Sequence, residues 1–186
     1  MVMEKSVEGC EYTDSCPADP LVERTMNKQN IGIICSSGGH LAQALSVIDA
    51  FDGHDLFLIV HDLPTLKGIQ ISEVKRVYHL RVILGYTSFI AVFLTALANV
   101  FQLVRIFWIE RPSILFSTGA EIAIPAFYVG KVFYRTRLIY LETLTRVKDL
   151  SLTGKVLYPI VNLFLVQWPE LLKKAGHKAV YGGRLI

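Results

Sequence analysis

From residue 31 onward, short apolar runs alternate with segments whose apolar residues recur at helical spacing. Short apolar runs bounded by polar residues or glycine are typical of buried strands. The predicted strands are Ile31–Cys35, Asp55–His61, Arg76–Leu80, Ser113–Phe116, Arg137–Leu141, Leu163–Gln167 and Ala179–Tyr181. The predicted helices are Leu41–Phe51, Ile83–Ile109, Ala120–Phe133, Leu152–Ile160 and Trp168–Ala175. Strands separated by helices indicate an α/β fold with a parallel sheet covered on both faces, and ligands bind such sheets at the carboxyl ends of the strands.

Residues 1–29 do not share this pattern. They are polar, lack the apolar core of a signal peptide, and contain several acidic residues and prolines. Such a composition cannot bury enough apolar surface to fold. We therefore expect a flexible polar tail, followed by one folded domain over residues 30–186.

The longest uncharged run covers the 23 residues between Arg81 and Arg105, which is enough to span a bilayer. A single crossing would place the flanking strands in different compartments, although both are expected in one sheet. The run also carries one polar stripe at helical spacing, formed by Ser88, Thr95, Asn99 and Gln102.

Three interpretations of the predicted helix over residues 83–109 remain open. It is a core helix buried within the protein, a membrane span, or a helix that lies in the lipid interface. A broad apolar face with a narrow polar stripe favours the third. The interfacial side chains would then be Phe89, Phe93, Phe101 and Trp108.

Composition indicates either unusual burial or association with a membrane, and it does not favour nucleic-acid binding. An apolar fraction of 52% and a mean hydropathy of +0.43 are high for a freely soluble protein. The net charge of +3 is too small to argue for nucleic acid. Basic residues are concentrated between Lys131 and Lys155, where they would serve an anionic membrane surface or a pyrophosphate, or form a solvated face.

The three cysteines predict neither a disulfide framework nor a metal site. Cys10 and Cys16 lie in the polar tail and Cys35 ends the first strand, and none has a histidine at metal-ligand spacing. A reducing cytoplasm is the simplest compartment, and we expect no metal.

The segment Ile31–His40 joins a buried strand to a helix through a turn of serine and glycine. Glycine lets bare backbone approach a ligand, and the N–H groups that start a helix attract phosphate-like anions. The segment lacks the third glycine of the dinucleotide fingerprint and is not a P-loop. Ser37, Gly38 and Gly39 are therefore candidate diphosphate contacts, although a tight turn that needs glycine for its geometry alone explains the same residues.

The segment Ser117–Glu121 repeats this strand-to-turn pattern and precedes another predicted helix. Ser117, Thr118, Gly119 and Glu121 are therefore candidates for the same polar cleft. Two such turns at one edge of a parallel sheet strengthen the case for a shared site.

Glu142 follows the next predicted strand, where a carboxylate can accept sugar hydroxyls or a proton. An ion pair with Arg146, four residues further on, is the alternative explanation. Thr153–Lys155 resembles the end of a Walker A motif, but Val156 follows the lysine, so ATP binding is not expected.

Among the five histidines, His40 has a functional setting at a glycine turn beside a helix start. A histidine there can donate to a phosphate or act as a base, or it can pack over the turn. The other histidines show no pairing pattern and are expected at the surface or in loops: His54, His61, His79 and His177.

Five segments in this order resemble one known family: Ser36–His40, Ser117–Pro125, Glu142–Arg146, Ser151–Lys155 and Phe164–Trp168. The family is the membrane-associated, acceptor-binding subunit of the split UDP-N-acetylglucosamine transferases, which act in lipid-linked oligosaccharide, exopolysaccharide and capsule synthesis. The resemblance covers about residues 30–186. It implies a Rossmann-like sheet equivalent to the N-terminal domain of a GT-B glycosyltransferase, whose nucleotide-sugar-binding half is a separate polypeptide.

The resemblance implies that Gly38, Gly39 and His40 lie near the pyrophosphate and reacting hydroxyl of the acceptor. The candidates between Ser117 and Glu121 would line the same cleft, with Glu142 and Arg146 at its rim. His40 and Glu142 are then the implied catalytic groups. The donor is a UDP-sugar bound mainly by the partner subunit, the acceptor is a polyprenyl-diphosphate-linked glycan, and no further cofactor is implied. We expect the chain to be inactive alone.

Eukaryotic members of this family begin with a hydrophobic anchor, and this chain has a polar tail instead. We therefore expect attachment through helix 83–109 at the cytoplasmic face of a membrane, with the bacterial inner membrane favoured over the endoplasmic reticulum. The strand Ala179–Tyr181 and the tail Gly182–Ile186 are the expected docking elements for the partner. One other function remains open, a non-catalytic membrane scaffold that enhances a self-sufficient glycosyltransferase. A nucleotide-binding protein unconnected with sugars would need a more complete phosphate motif than this sequence contains.

Overall fold

Seven parallel strands form one sheet in a computed structural model that describes residues 28–63, 71–82 and 88–185, without the side chain of Phe89. The strands are β1 (Asn30–Ile34), β2 (Asp55–His61), β3 (Val74–Leu80), β4 (Ile114–Ser117), β5 (Arg137–Leu141), β6 (Leu163–Val166) and β7 (Ala179–Tyr181). Their spatial order is β3-β2-β1-β4-β5-β6-β7. The predicted parallel α/β sheet is therefore confirmed. Residues 1–27 lie outside the described residues, so the predicted tail and domain bounds stay predictions.

Helices cover the two faces of the sheet unequally. The α-helices are α1 (Gly39–Leu45), α2 (Phe89–Glu110), α3 (Ala123–Tyr134), α4 (Leu152–Leu157) and α5 (Pro169–Ala175). One apolar core lies between the sheet and the helices α2 to α5. The other core lies under α1 and a short 3-10 helix, Ile48–Phe51, on the opposite face. Within the described ranges, four helices thus share one face, whereas one short helix and a 3-10 turn pack on the other.

Several predicted helices are shorter in the structure, among them Leu152–Ile160, which ends at Leu157, and two others differ for a local reason. The predicted helix Leu41–Phe51 ends at Leu45 and resumes as the 3-10 turn. Ser46 donates its hydroxyl to the carbonyl of Gln43 (2.9 Å), and such local bonds compete with helix continuation. The predicted helix starting at Ala120 begins three residues later, because Ala120 has a positive φ of 81° that no α-helix contains.

Three residues of the predicted polar stripe of α2 face the protein, whereas Ser88, the N-cap, is exposed. Asn99 is 5% exposed, and its amide donates to the backbone carbonyl of Arg81 (2.9 Å) and accepts from the N–H of the same residue (3.2 Å). Gln102 donates to the carbonyl of His79 (2.8 Å), and Thr95 is buried. These bonds fix the rotation of α2 about its axis by holding its polar side against the end of β3.

The apolar side of α2 is exposed to solvent as a consequence. More than half of each of the following side chains is exposed: Ile90, Phe93, Leu94, Leu97, Phe101, Trp108 and Ile109. By length and composition, Ile90–Glu110 is the one helix in the described residues that could cross a membrane. However, α2 connects β3 to β4, which belong to one sheet. A crossing would separate these two strands, so the fold favours a helix that lies in the interface.

A buried carboxylate fixes the C-terminal end of α2 to the edge strand. Glu110 is 1% exposed and accepts hydrogen bonds from Arg76 Nε (2.6 Å) and Nη2 (2.7 Å). It also accepts the hydroxyl of Tyr78. Burial and the bond to this carboxylate raise the pKa of Tyr78 to about 12, so the hydroxyl stays a donor. The cluster therefore joins the exposed apolar helix to β3.

We expect Glu110→Gln to lower the free energy of unfolding by about 1–3 kcal/mol, because a neutral amide cannot satisfy both Arg76 and Tyr78. Equilibrium denaturation in urea measures the change. The matched control is Glu73→Gln, which removes an exposed carboxylate near the same edge and should change stability by less than about 0.5 kcal/mol. Equal stabilities of the two variants would contradict this role of Glu110.

Candidate functional site

A cavity of about 310 Å³ opens at the carboxyl ends of β1, β4 and β5. It is lined by His40 from the first turn, by Gly119 and Glu121 from the second, and by Arg146 and Ser151 from the segment after β5. Strand order reverses between β1 and β4, which is where ligands bind open parallel sheets. The structure therefore brings together three segments that are far apart in the sequence.

His40 is held by two reciprocal hydrogen bonds to the second turn. Its Nδ1 lies 2.9 Å from the carbonyl oxygen of Thr118, and the Thr118 hydroxyl donates to the carbonyl of His40 (2.7 Å). A carbonyl can only accept, so Nδ1 carries the proton of a neutral ring. Nε2 then has the free lone pair, which is the form of histidine that accepts a proton.

Gly119 makes room for this ring. A Cβ at Gly119 would lie 2.6 Å from Cε1 of His40, and the backbone has a φ of +122° that side chains rarely adopt. Ala120 follows with a φ of +81°. Two successive residues in rare conformations store strain of the kind found at functional sites. The glycine is thus required for the position of His40.

The hydroxyls of Ser117 and Thr118 are used inside the protein. Both residues are fully buried, and Ser117 Oγ donates to the carbonyl of Gly119 (3.1 Å) and accepts from its N–H (3.2 Å). The Thr118 hydroxyl binds the backbone of His40. These two predicted site residues therefore shape the turn beneath the cavity.

Gly38 and Gly39 are exposed, and a Cβ at either would meet no atom within 4 Å. Gly38 has a φ of +78°, so it needs glycine for its conformation as well. Ser37 is half-buried in the same turn. The helix that follows has seven residues, and the space beside the backbone of both glycines is open. Their contact with a diphosphate stays a prediction.

Cys35 precedes this turn and is fully buried. Burial raises the pKa of its thiol to about 12. The thiol is therefore protonated at neutral pH, and Cys35 is a core residue.

Glu142 does not lie at the rim of the cavity, which corrects the sequence-based expectation. Its side chain is fully buried, and its carboxylate accepts from the N–H of Thr143 (3.0 Å) and from the N–H and hydroxyl of Ser151 (3.0 and 3.1 Å). Ser151 in turn caps α4 by accepting from the N–H of Gly154 (2.9 Å). Glu142 thus anchors the start of α4 below the cavity.

Arg146 is exposed and lines the cavity. Residues 142–146 are not helical, and the Glu142 carboxylate binds other groups, so the spacing argument for a Glu142–Arg146 ion pair does not apply.

Tyr140 lies deeper, with its hydroxyl 3.1 Å from Ser151 Oγ. Burial, and then the charge of Glu142, raise the pKa of Tyr140 well above its usual range, so this phenol stays neutral.

His61 is a site residue that the sequence analysis assigned to the surface. It is 7% exposed at the end of β2, and its Nε2 lies 3.3 Å from a carboxylate oxygen of Glu121. Glu121 is itself half-exposed and lines the cavity. One signal in the sequence could have identified His61: it lies at the carboxyl end of a predicted strand, the edge of the sheet at which His40 was selected.

The sequence of this chain matches one protein family, described as oligosaccharide biosynthesis protein Alg14 like, over residues 31–185. Relatives include UDP-N-acetylglucosamine transferase subunit alg14 of Schizosaccharomyces pombe, 29% identical, covering 79% of each chain. The rat subunit ALG14 is 27% identical over 86% of this chain and 85% of its own. These organisms are eukaryotes, so the predicted bacterial origin is not supported.

Solved structures share the fold. MurG of Acinetobacter baumannii matches with a TM-score of 0.66 and 16% identity, covering 82% of this chain and 45% of its own. A UDP-GlcNAc 2-epimerase from Methanocaldococcus jannaschii matches with a TM-score of 0.60 and 12% identity, covering 83% and 45%. This chain thus spans less than half of either structure. The predicted Rossmann-like fold, equivalent to one half of a GT-B glycosyltransferase, is confirmed.

Three observations agree with one another: the motifs that line the cavity, the parallel sheet, and the family match over residues 31–185. The chain belongs to the Alg14-like family of oligosaccharide biosynthesis proteins.

Proposed function

We propose that this chain is the acceptor-binding, membrane-recruiting subunit of a two-component UDP-sugar glycosyltransferase that acts on a polyprenyl-diphosphate-linked glycan. The observation that carries the proposal is the setting of His40 in the cavity. The ring is oriented by the Thr118 carbonyl, so that Nε2 has its lone pair, and Arg146 lines the same cavity. A base and a cation that line one cavity suit an acceptor that has both a hydroxyl and a diphosphate.

The reaction uses these groups as follows. His40 Nε2 takes the proton of the acceptor hydroxyl while that oxygen attacks the anomeric carbon of the donor sugar. The bond from this carbon to the UDP oxygen breaks, and UDP leaves with the electron pair. Arg146 binds the acceptor diphosphate through charge-assisted hydrogen bonds. Glu121, positioned by His61, accepts hydroxyls of the acceptor sugar.

The donor site belongs to a partner subunit. The chain covers less than half of the two-domain structures that share its fold, and the UDP-sugar is held mainly by the other half. The sparsely covered face of the sheet supplies a docking surface. An apolar groove of about 230 Å³ runs there between the 3-10 turn and the C-terminal tail, with Ile139, Leu163 and Leu165 in its floor.

The exposed apolar side of α2 recruits the subunit to the cytoplasmic face of a membrane. The helix follows the carboxyl end of β3, so it begins at the same edge of the sheet as the cavity. A lipid-linked acceptor in the bilayer therefore approaches the site from the side on which the protein is held.

We expect His40→Ala to reduce turnover by roughly 10²-fold, the usual scale for a lost general base. The assay combines the chain with its partner, a UDP-sugar and a short polyprenyl-diphosphate acceptor, and compares the variant with His177→Ala, which removes an exposed histidine. Affinity for the partner should stay unchanged. Normal turnover by His40→Ala would favour the alternative function, a membrane scaffold for a self-sufficient transferase.

We expect Phe93→Asp with Phe101→Asp to move the protein from the membrane fraction to the soluble fraction, because both side chains are more than half exposed on the apolar side of α2. Flotation with vesicles measures the change, and circular dichroism checks the fold. Val147→Asp, an exposed position in a loop, should leave membrane binding intact. Unchanged flotation of the double variant would exclude α2 as the membrane contact.

We expect Val180→Asp to weaken partner binding by at least about tenfold, which corresponds to roughly 1.4 kcal/mol. Val180 is 49% exposed and pairs in register with Leu165 on the floor of the groove. It is a cleaner test than deleting residues 182–186, because Leu185 packs against the core and its N–H donates to Gln167. Lys173→Asp on α5 is the control, and equal affinities for the partner would disprove docking on this face.

A further inference from the structure

A groove of about 400 Å³ lies between the C-terminal ends of α2 and α3. It is lined by Trp108, Arg111 and Pro112 on one side and by Phe133 and Tyr134 on the other. Helices α2 and α3 run against the strand direction, so this groove is at the amino edge of the sheet, opposite the cavity that holds His40. It is therefore separate from the candidate active site.

Both helices end in an arginine with left-handed backbone. Arg111 caps α2 with a φ of 47°, and Arg135 caps α3 with a φ of 53°. Glycine is the usual residue at such positions, because a side chain is strained in this conformation. A cation at a helix C-terminus offsets only part of this cost. Local stability alone therefore does not account for two arginines at neighbouring caps.

The charge of these arginines is not neutralised nearby. In the part of the chain that the structure describes, no ion pair involves Arg111 or Arg135. Glu110 is adjacent in sequence, but its carboxylate is buried and bound by Arg76. Arg105 on the outer side of α2 is exposed as well. Arg111 lines the groove, and the exposed Arg135 directly follows Tyr134, which also lines it.

Apolar side chains surround this charge. Trp108 is 70% exposed and Phe133 is 67% exposed, and Val132 and Tyr128 extend the apolar surface along α3. Tyr134 joins the two helices by donating its hydroxyl to the carbonyl of Val104 (2.8 Å). The exposed apolar sides of α2 and α3 therefore form one surface with arginines at one end.

We propose that this groove binds the headgroup of an anionic phospholipid. Arg111 and Arg135 contact the headgroup phosphate, while Trp108 and Phe133 insert at the boundary between headgroups and acyl chains. The proposal rests on the membrane association in the proposed function and adds a lipid preference to it. Charge complementarity favours an anionic bilayer over a protein partner. The surface combines a long apolar strip with arginines, and the described residues that line the groove include no carboxylate.

The test measures binding of the full chain to vesicles of phosphatidylcholine alone and of phosphatidylcholine with a minor fraction of phosphatidylserine. Each basic residue near an anionic surface contributes about 1 kcal/mol, so Arg111→Gln with Arg135→Gln should reduce the preference for phosphatidylserine by about 30-fold. Affinity for phosphatidylcholine alone should not change. Arg111→Lys with Arg135→Lys should restore most of the preference.

Lys148→Gln with Lys155→Gln removes the same charge beyond the carboxyl end of β5, and should leave the preference intact. A double glutamine variant that keeps the wild-type preference would overturn the proposal, as would a control pair that loses it equally. Equal binding of the wild type to both vesicle types would refute the lipid preference alone. Failure of the wild type to bind either vesicle would instead refute the membrane association in the proposed function.

Discussion

The order of strands in the parallel sheet is the constraint on which the other surfaces depend. Connections between parallel strands are right-handed, so the reversal of order at β1 and β4 sends α1 to one face and α2 to α5 to the other. The reversal opens the cavity at the carboxyl edge. Because only α1 and the 3-10 turn pack on one face, an apolar groove stays open there. The other face is covered by a layer of helices, and the outer side of that layer includes the exposed apolar side chains of α2.

Helix α2 buries polar side chains together with the apolar Leu103, Ile106 and Phe107, and it leaves further apolar side chains exposed, whereas the outer side of an ordinary surface helix is polar. Its amides are satisfied by backbone groups at the end of β3, an edge strand that pairs with β2 alone in this sheet. Buried polar groups need such partners, and their loss would leave unsatisfied backbone as well as side chains. The exposed apolar surface is therefore a consequence of hydrogen bonding that the fold requires.

The sequence predicted the fold closely, because a parallel sheet leaves a strong local pattern. β2, β5 and β7 have the predicted bounds. His40, Gly119 and Arg146 meet in one cavity because each follows a strand. The prediction for Glu142 was wrong because successive side chains along a strand point to opposite faces of the sheet. Glu142 is an even number of residues from Leu138 and Tyr140, so its carboxylate points to the face that α2 to α5 cover. The contact of His61 with Glu121 joins distant turns, and no local pattern encodes it.

Gln167 connects three separate parts of the chain at the carboxyl edge of the sheet. Its buried amide donates to the carbonyl of Glu142 and to Gln43 on α1, and it accepts the N–H of Leu185 in the C-terminal tail. Displacing the tail breaks a buried hydrogen bond, at a cost of about 1–3 kcal/mol. The amide also holds α1, the helix that contains His40. The C-terminal tail and the helix that contains His40 therefore share one buried amide as a hydrogen-bond partner.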